Sequence, residues 1–183
     1  MPYLKYFDNK TNYGNRGMVL EEDINATNEY YLTNDIAVIY KKPTPIKILK
    51  LDYTTNKITN AFFETQSTLD YNGIYKGKYI EFDAKETKSK TSFTLNNVHP
   101  HQLKHMERIY KHGGICFLIV RFVLLDKTYL LFAKDLLEFI NNNDRKSIPL
   151  SFFEERCKKI ELKYSPRLDY IKIIKECMEK WKY

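Results

Sequence analysis

Cysteine is scarce: three in 183 residues. Cys116, Cys157 and Cys177 are odd in number and far apart, and no Cys-x-x-Cys occurs. Neither a disulfide framework nor a structural zinc site is therefore suggested. No apolar run is long enough for a membrane helix. The longest, ICFLIVRFVLL from Ile115 to Leu125, contains Arg121 and falls well short of the ~20 residues a bilayer requires. The opening MPYLKYFDNKTNYGNRG has no apolar h-region, so no secretory signal is expected. Neither G-x-x-x-x-G-K-S/T nor G-x-S-x-G is present, which removes support for P-loop ATP hydrolysis and serine hydrolysis. Internal repeats and low-complexity tracts are also missing. These absences predict a soluble, cytoplasmic chain with no membrane partner.

What is present is apolar residues, aromatics and positive charge. At 43% apolar and 15% aromatic residues, the chain has too much to bury to remain disordered. Its length suits one domain with its own core, so residues 1–183 are read as a single unit. Thirty Lys and Arg against 23 Asp and Glu give a formal charge of +7 and a pI near 9.1. Such a field favours polyanions, nucleic acid first. A merely solvated basic surface is the plain alternative.

Periodicity supplies the elements. From Met18, Leu20, Ile24, Thr27 and Tyr31 recur at helical spacing, with Glu21, Glu22 and Asp23 expected in the first turn. IAVIY, Ile36 to Tyr40, reads as a buried strand. KKPTP then takes the chain out of any central sheet. Two strands follow, Ile46 to Leu51 and Ile58 to Phe63, joined through TTNK. Lys41, Lys42, Lys47, Lys50 and Lys57 accompany one acid, Asp52, in the segment from Lys41 to Lys57. This is either a basic arm for a phosphate backbone or a hairpin whose lysines protect its edge. Tyr79 to Lys85 alternates, with Ile80, Phe82 and Ala84 on one face and Glu81, Asp83 and Lys85 on the other. Pro100 opens a helix with an apolar stripe of Leu103, Met106 and Tyr110, ended by Gly113-Gly114. Ile115–Leu125 and Thr128–Phe132 read as strands and Lys134–Ile140 as a short helix. A last helix after Pro166 buries Leu168, Ile171, Ile174, Met178 and Trp181. The order predicts an α/β fold, a mixed sheet flanked by helices.

Chemistry concentrates between Ser67 and Lys90, in STLDYNGIYKGKYIEFDAKETKSK. Asp83 and Lys85 are two apart on a strand, so they share a face ~7 Å apart. A hairpin turning at the Asn72-Gly73 pair or shortly after it brings Asp70 against Asp83. Paired carboxylates can hold Mg²⁺, which takes oxygen ligands and keeps several waters. Such an ion activates water and steadies the leaving oxygen of a phosphodiester displacement. By itself D-x-K is common, and an Asp–Lys pair on a solvated strand explains it equally well.

Longer words are more specific. GNRGMVLEEDI, DIAVIYKKPTPI, STLDYNGIYKGKYIEFDAKETKSKTSF, LNNVHPHQLKHM, GICFLI and YSPRLDYI occur in that order between about Tyr13 and Ile174. Together they resemble the RecU family of Holliday-junction resolvases. The resemblance implies a restriction-endonuclease-like core with a projecting β-stalk at residues 41–63. It implies a homodimer that uses Mg²⁺, with Mn²⁺ as a substitute, to nick four-way junction DNA symmetrically in recombination and repair. A cytoplasmic, nucleoid-associated location follows, with recombination and branch-migration proteins as further partners. By motif, the metal ligands fall on Thr68, Asp70, Asp83 and Gln102, and the lysine that steadies the transition state falls on Lys85. The family commonly carries Glu where this chain has Asp83 and Asp where it has Glu81, so Glu81 is a possible additional acid. Glu21, on the first helix, is another. DNA contacts are expected at Arg16, Lys41, Lys42, Lys47, Lys50, Lys57, Lys88 and Lys90. A junction-binding or bridging protein of the same fold without catalysis is the alternative, and a duplex-specific nuclease is a second.

His101 and His105 have zincin spacing, but Gln102 stands where the glutamate base belongs. Arg167 is read as either a phosphate contact or a structural residue.

Overall fold

The structure is a computed structural model that describes residues 16–63 and 68–180, with backbone only at 16–18, 63 and 180. The expected burial of Trp181 lies outside these residues.

A six-stranded mixed sheet organises the fold, in the order β1 (Val38–Lys41), β4 (Tyr71–Tyr75), β5 (Lys78–Thr87), β7 (Ile115–Phe122), β8 (Lys127–Phe132), β10 (Lys158–Ile160). Only β5 and β7 run parallel; the other neighbours are antiparallel. The parallel crossover passes through α2 (Pro100–Lys111). Helices cover both faces. On one lie α1 (Arg16–Thr33) and α5 (Tyr170–Lys180), packing Leu20, Ile24, Tyr31, Ile171 and Ile174 onto Ile80, Phe82 and Phe117. On the other lie α2, α3 (Ala133–Asn142) and α4 (Leu150–Arg156), packing Met106, Leu136, Phe139 and Phe153 onto Cys116, Leu118 and Val120. β7 is buried along its whole length, as a strand covered on both faces requires. The α/β class read from the sequence is the architecture observed.

Two small sheets stand apart. β2 (Ile46–Asp52) and β3 (Lys57–Phe63) pair only with each other, through a ladder with a register shift between Ile48 and Leu51. β6 (Ser92–Thr94) pairs with β9 (Ser147–Pro149).

Several expectations are corrected. IAVIY is no buried strand: β1 is the sheet edge, with Ile39 buried and Val38 and Tyr40 exposed. Asn72-Gly73 is no turn. Both residues lie inside β4, and the β4–β5 hairpin turns at Lys76-Gly77, each with positive φ. Gly73 is there because β1 comes so close: a Cβ would lie 2.0 Å from the Val38 carbonyl oxygen. α1 starts at Arg16, so Glu21, Glu22 and Asp23 fall beyond its first turn. Asp23 is instead buried, accepting hydrogen bonds from Arg121 (2.7 Å) and Arg167 (2.9 Å). Arg167 is thus a structural tie between α1 and the segment leading into α5. Tyr110 is exposed, and the strand from Ile115 ends at Phe122, with a 3₁₀ turn after it.

Candidate metal centre

The β4–β5 hairpin builds the site. Tyr71 pairs with Phe82 in its ladder, and one step beyond stand Asp70 and Asp83. Asp83 points away from Ile80 and Phe82, toward α2, and is buried to 1%. Its Oδ2 accepts a hydrogen bond from Gln102 Nε2 (2.8 Å) and forms an ion pair with the Lys85 ammonium (2.8 Å). Its Oδ1 is buried without a hydrogen-bond partner.

Burial is the main reason the Asp70 carboxyl is pushed above its ordinary pKa. The negative charge of the neighbouring Asp83 adds to it, while the Lys85 and Lys41 cations oppose it. Two neighbouring carboxyls, each raising the cost of the other's charge, favour sharing a proton or holding a cation.

These residues fit a hard cation. A buried carboxylate oxygen left without a donor is costly, and here it lies beside a second carboxylate. Among the described residues no group of three or more His, Cys, Asp or Glu gathers around one point. Two carboxylates leave open the positions that Mg²⁺ fills with water and phosphate oxygens.

The other expected ligands have protein partners. Gln102 faces the site from the first turn of α2. Its amide nitrogen holds Asp83, while its Oε1 accepts the His99 N–H (3.1 Å). Thr68 Oγ1 donates to Glu81 Oε1 (3.3 Å) and accepts from Lys42 Nζ (2.8 Å).

Glu81 is the centre of a second cluster. It is buried to 1%. Lys42 Nζ donates to its Oε1 (2.5 Å); Tyr79 Oη and His105 Nε2 each lie 2.9 Å from its Oε2. Burial alone would raise this carboxyl, but the hydrogen bonds from Lys42, His105 and Tyr79 outweigh it and hold the pKa below the ordinary value. The histidine pair does not act together: His105 meets Glu81, whereas His101 stacks on His99 with ring centroids 5.5 Å apart.

Glu21 forms an ion pair with Lys41. Both lie close to the carboxylate pair, for the Lys41 charge acts on Asp70 and the Glu21 charge on the Tyr71 phenol, whose pKa burial pushes up first of all. Lys47, Lys50 and Lys57 are exposed on β2 and β3, and Lys88 and Lys90 are exposed just beyond β5. The Arg16 side chain lies outside the described residues.

Sequence reasoning missed Lys42, Tyr79 and His105 as partners of Glu81. The signal for His105 was present: it stands one helical turn after Gln102, on the face turned to β5.

The family model for Recombination protein U (RecU) matches residues 15–176. Three curated relatives, each called Holliday junction resolvase RecU, are similar over most of their length. The Geobacillus kaustophilus protein is 54% identical over 168 residues, 88% of this chain and 84% of its own. The Pediococcus pentosaceus protein is 51% identical over 173 residues, 91% and 86% of the two chains. The Bacillus mycoides protein is 50% identical over 171 residues, 90% and 86%. A match spanning the helix α1, the carboxylate hairpin and the start of α5 leaves one conclusion: this chain belongs to the RecU family.

Proposed function

We propose that this chain is a structure-selective endonuclease that resolves four-way DNA junctions by metal-dependent cleavage. Its relatives are called Holliday junction resolvases. The observation that carries the metal-dependent reading is the Asp70–Asp83 pair, with Lys85 on one oxygen of Asp83 and its other oxygen buried and unpartnered.

Asp70 and Asp83 would hold Mg²⁺ or Mn²⁺, with the Thr68 hydroxyl at the rim. The ion supplies Lewis-acid chemistry, polarising phosphoryl oxygens and acidifying water. Gln102 fixes the rotamer of Asp83 by donating to Oδ2. Lys85, only 19% exposed, keeps its ammonium beside the reacting phosphate, where negative charge grows in the transition state. The exposed lysines Lys47, Lys50, Lys57, Lys88 and Lys90 meet the DNA backbone, so binding should weaken steeply with salt. In this reading residues 1–183 form one nuclease domain, and β2–β3 is its stalk. A two-fold homodimer sets two equivalent sites against the two symmetric strands of a junction.

The test is nicking of a mobile four-way junction and of linear duplex by wild type and Asp70→Asn, with and without Mg²⁺. The expected result is metal-dependent cutting of the junction only, lost in Asp70→Asn while junction binding persists. Equal cutting of both DNAs would overturn junction selectivity. Binding without cutting in Mg²⁺ or Mn²⁺ would leave a non-catalytic junction binder.

A further inference from the structure

Lys42 reads from the sequence as one more basic residue for the DNA backbone. Its environment differs from that of the other lysines in its segment. Lys47, Lys50 and Lys57 are exposed, whereas the Lys42 side chain is 22% exposed and its ammonium is committed inward.

Two bonds tie this residue to the segment that carries Asp70, and a third ties it to β5. Its main-chain N–H donates to the Asp70 carbonyl oxygen (2.7 Å). Its Nζ donates to Thr68 Oγ1 (2.8 Å) and to Glu81 Oε1 (2.5 Å). Thr68 and Asp70 are therefore gripped on both sides by one residue. Glu81, in turn, is fixed from β5 by Tyr79 and from α2 by His105. Lys42 also directly follows β1 and precedes Pro43-Thr44-Pro45, the root of the β2–β3 hairpin.

We propose that Lys42 is a positioning residue that sets Asp70 opposite Asp83 through Glu81, not a DNA-phosphate contact. This rests on the metal-dependent reading given above. The physical need is clear. Asp70 lies before β4 begins, outside the ladder that aligns Tyr71 with Phe82. Without an anchor the loop can swing the carboxylate away. An ammonium between a buried carboxylate and the Thr68 hydroxyl supplies that anchor, much as outer partners fix metal-ligating groups elsewhere. Because Lys42 also starts the hairpin, the same contact fixes the angle at which β2–β3 leaves the sheet.

The test compares wild type, Lys42→Met, Lys42→Arg and Lys42→Met/Glu81→Gln. Three quantities are read: the calorimetric Mn²⁺ isotherm of the free protein, junction Kd across a salt series in Ca²⁺, and single-turnover nicking in Mg²⁺. For Lys42→Met we expect Mn²⁺ affinity and cleavage rate to fall by about 10–100-fold. Junction Kd should stay within about twofold and the salt dependence should keep its slope, since no phosphate contact is lost. Lys42→Arg should recover most of the rate. Should Lys42→Met fail to fold, the double variant, which also removes the orphaned buried charge, carries the same comparison. The inference is overturned if Lys42→Met binds Mn²⁺ like wild type but loses junction affinity with a slope smaller by ~0.9, the signature of one missing phosphate contact. It is also overturned if metal binding, DNA binding and rate are all unchanged. Wild type that neither binds Mn²⁺ nor nicks would sink the metal-dependent reading itself, and the inference with it.

Discussion

Tyr71 and Phe82 face each other across the β4–β5 ladder with their rings stacked, centroids 4.8 Å apart and planes within 6°. Phe82 also stacks on Phe117 of β7 at 4.7 Å. This column of three rings lies under the face opposite the carboxylates and locks the register that brings Asp70 beside Asp83. Phe82→Ala should therefore cost about 3–5 kcal/mol in urea unfolding. It should also weaken the Mn²⁺ isotherm, because the strand that carries Asp83 loses its fixed height. Phe82→Leu, which keeps most of the volume, should cost much less on both measures.

The two glycines of the hairpin should respond differently to alanine. At Gly73 the added Cβ would lie 2.0 Å from the Val38 carbonyl oxygen and 2.7 Å from the Ile39 Cα. Backbone cannot yield as a side chain does, so Gly73→Ala should push β1 from β4 and cost ~3 kcal/mol or more. At Gly77 a Cβ meets open space, and only its φ of +74° opposes it. Gly77→Ala should cost ~1–2 kcal/mol. Equal thermal shifts for the two variants would contradict this.

Asp70→Asn should separate stability from activity. The folded pKa of Asp70 is raised, so its contribution to stability is present at low pH and lost as pH rises through the folded value. At pH 7 its charge is a liability next to Asp83. Without divalent metal, Asp70→Asn should therefore melt above wild type at neutral pH, and the difference should vanish below about pH 4. Added Mg²⁺ should raise the wild-type melting temperature by binding the folded state alone and leave Asp70→Asn nearly unmoved. A variant that melts below wild type in EDTA at pH 7 would show that Asp70 is not repelled there.

Much of this is legible in the sequence because strong periodicity carries over. Ile80, Phe82 and Ala84 alternate against Glu81, Asp83 and Lys85, and β5 places them on opposite faces as expected. What alternation cannot tell is that both faces are covered. It implies a polar face open to solvent, yet Glu81 and Asp83 are buried under α2. The Asn72-Gly73 pair misleads because glycine serves turns and close strand approaches alike; only the position of β1, set by tertiary contacts, decides between them. β6, β9 and β10 are three residues each, too short to show a period. Lys42 reads like its lysine neighbours because composition records charge and not direction.

The Glu81 cluster should make the fold sensitive to acid. Burial opposes ionisation here, but hydrogen bonds from Lys42, His105 and Tyr79 win, and the folded pKa lies below the ordinary 4.5. A depressed folded pKa gives stability that is fully present above the unfolded value and lost as pH falls through the folded one. Between pH 7 and 5 the contribution should be flat, and below about 4.5 it should decline. Glu81→Gln removes the charge and leaves Lys42 without its anion, so it should cost about 1–3 kcal/mol at pH 7. The gap between wild type and Glu81→Gln should then narrow as pH falls below about 4.5, because protonation does to wild type what the substitution has already done. Asp70 works in the opposite sense over the same range, so the comparison needs Asp70→Asn in both backgrounds. Urea unfolding of the four proteins from pH 7 to pH 3 checks this. A gap between wild type and Glu81→Gln that stays constant across that range would mean the carboxylate contributes through its shape and not through its charge.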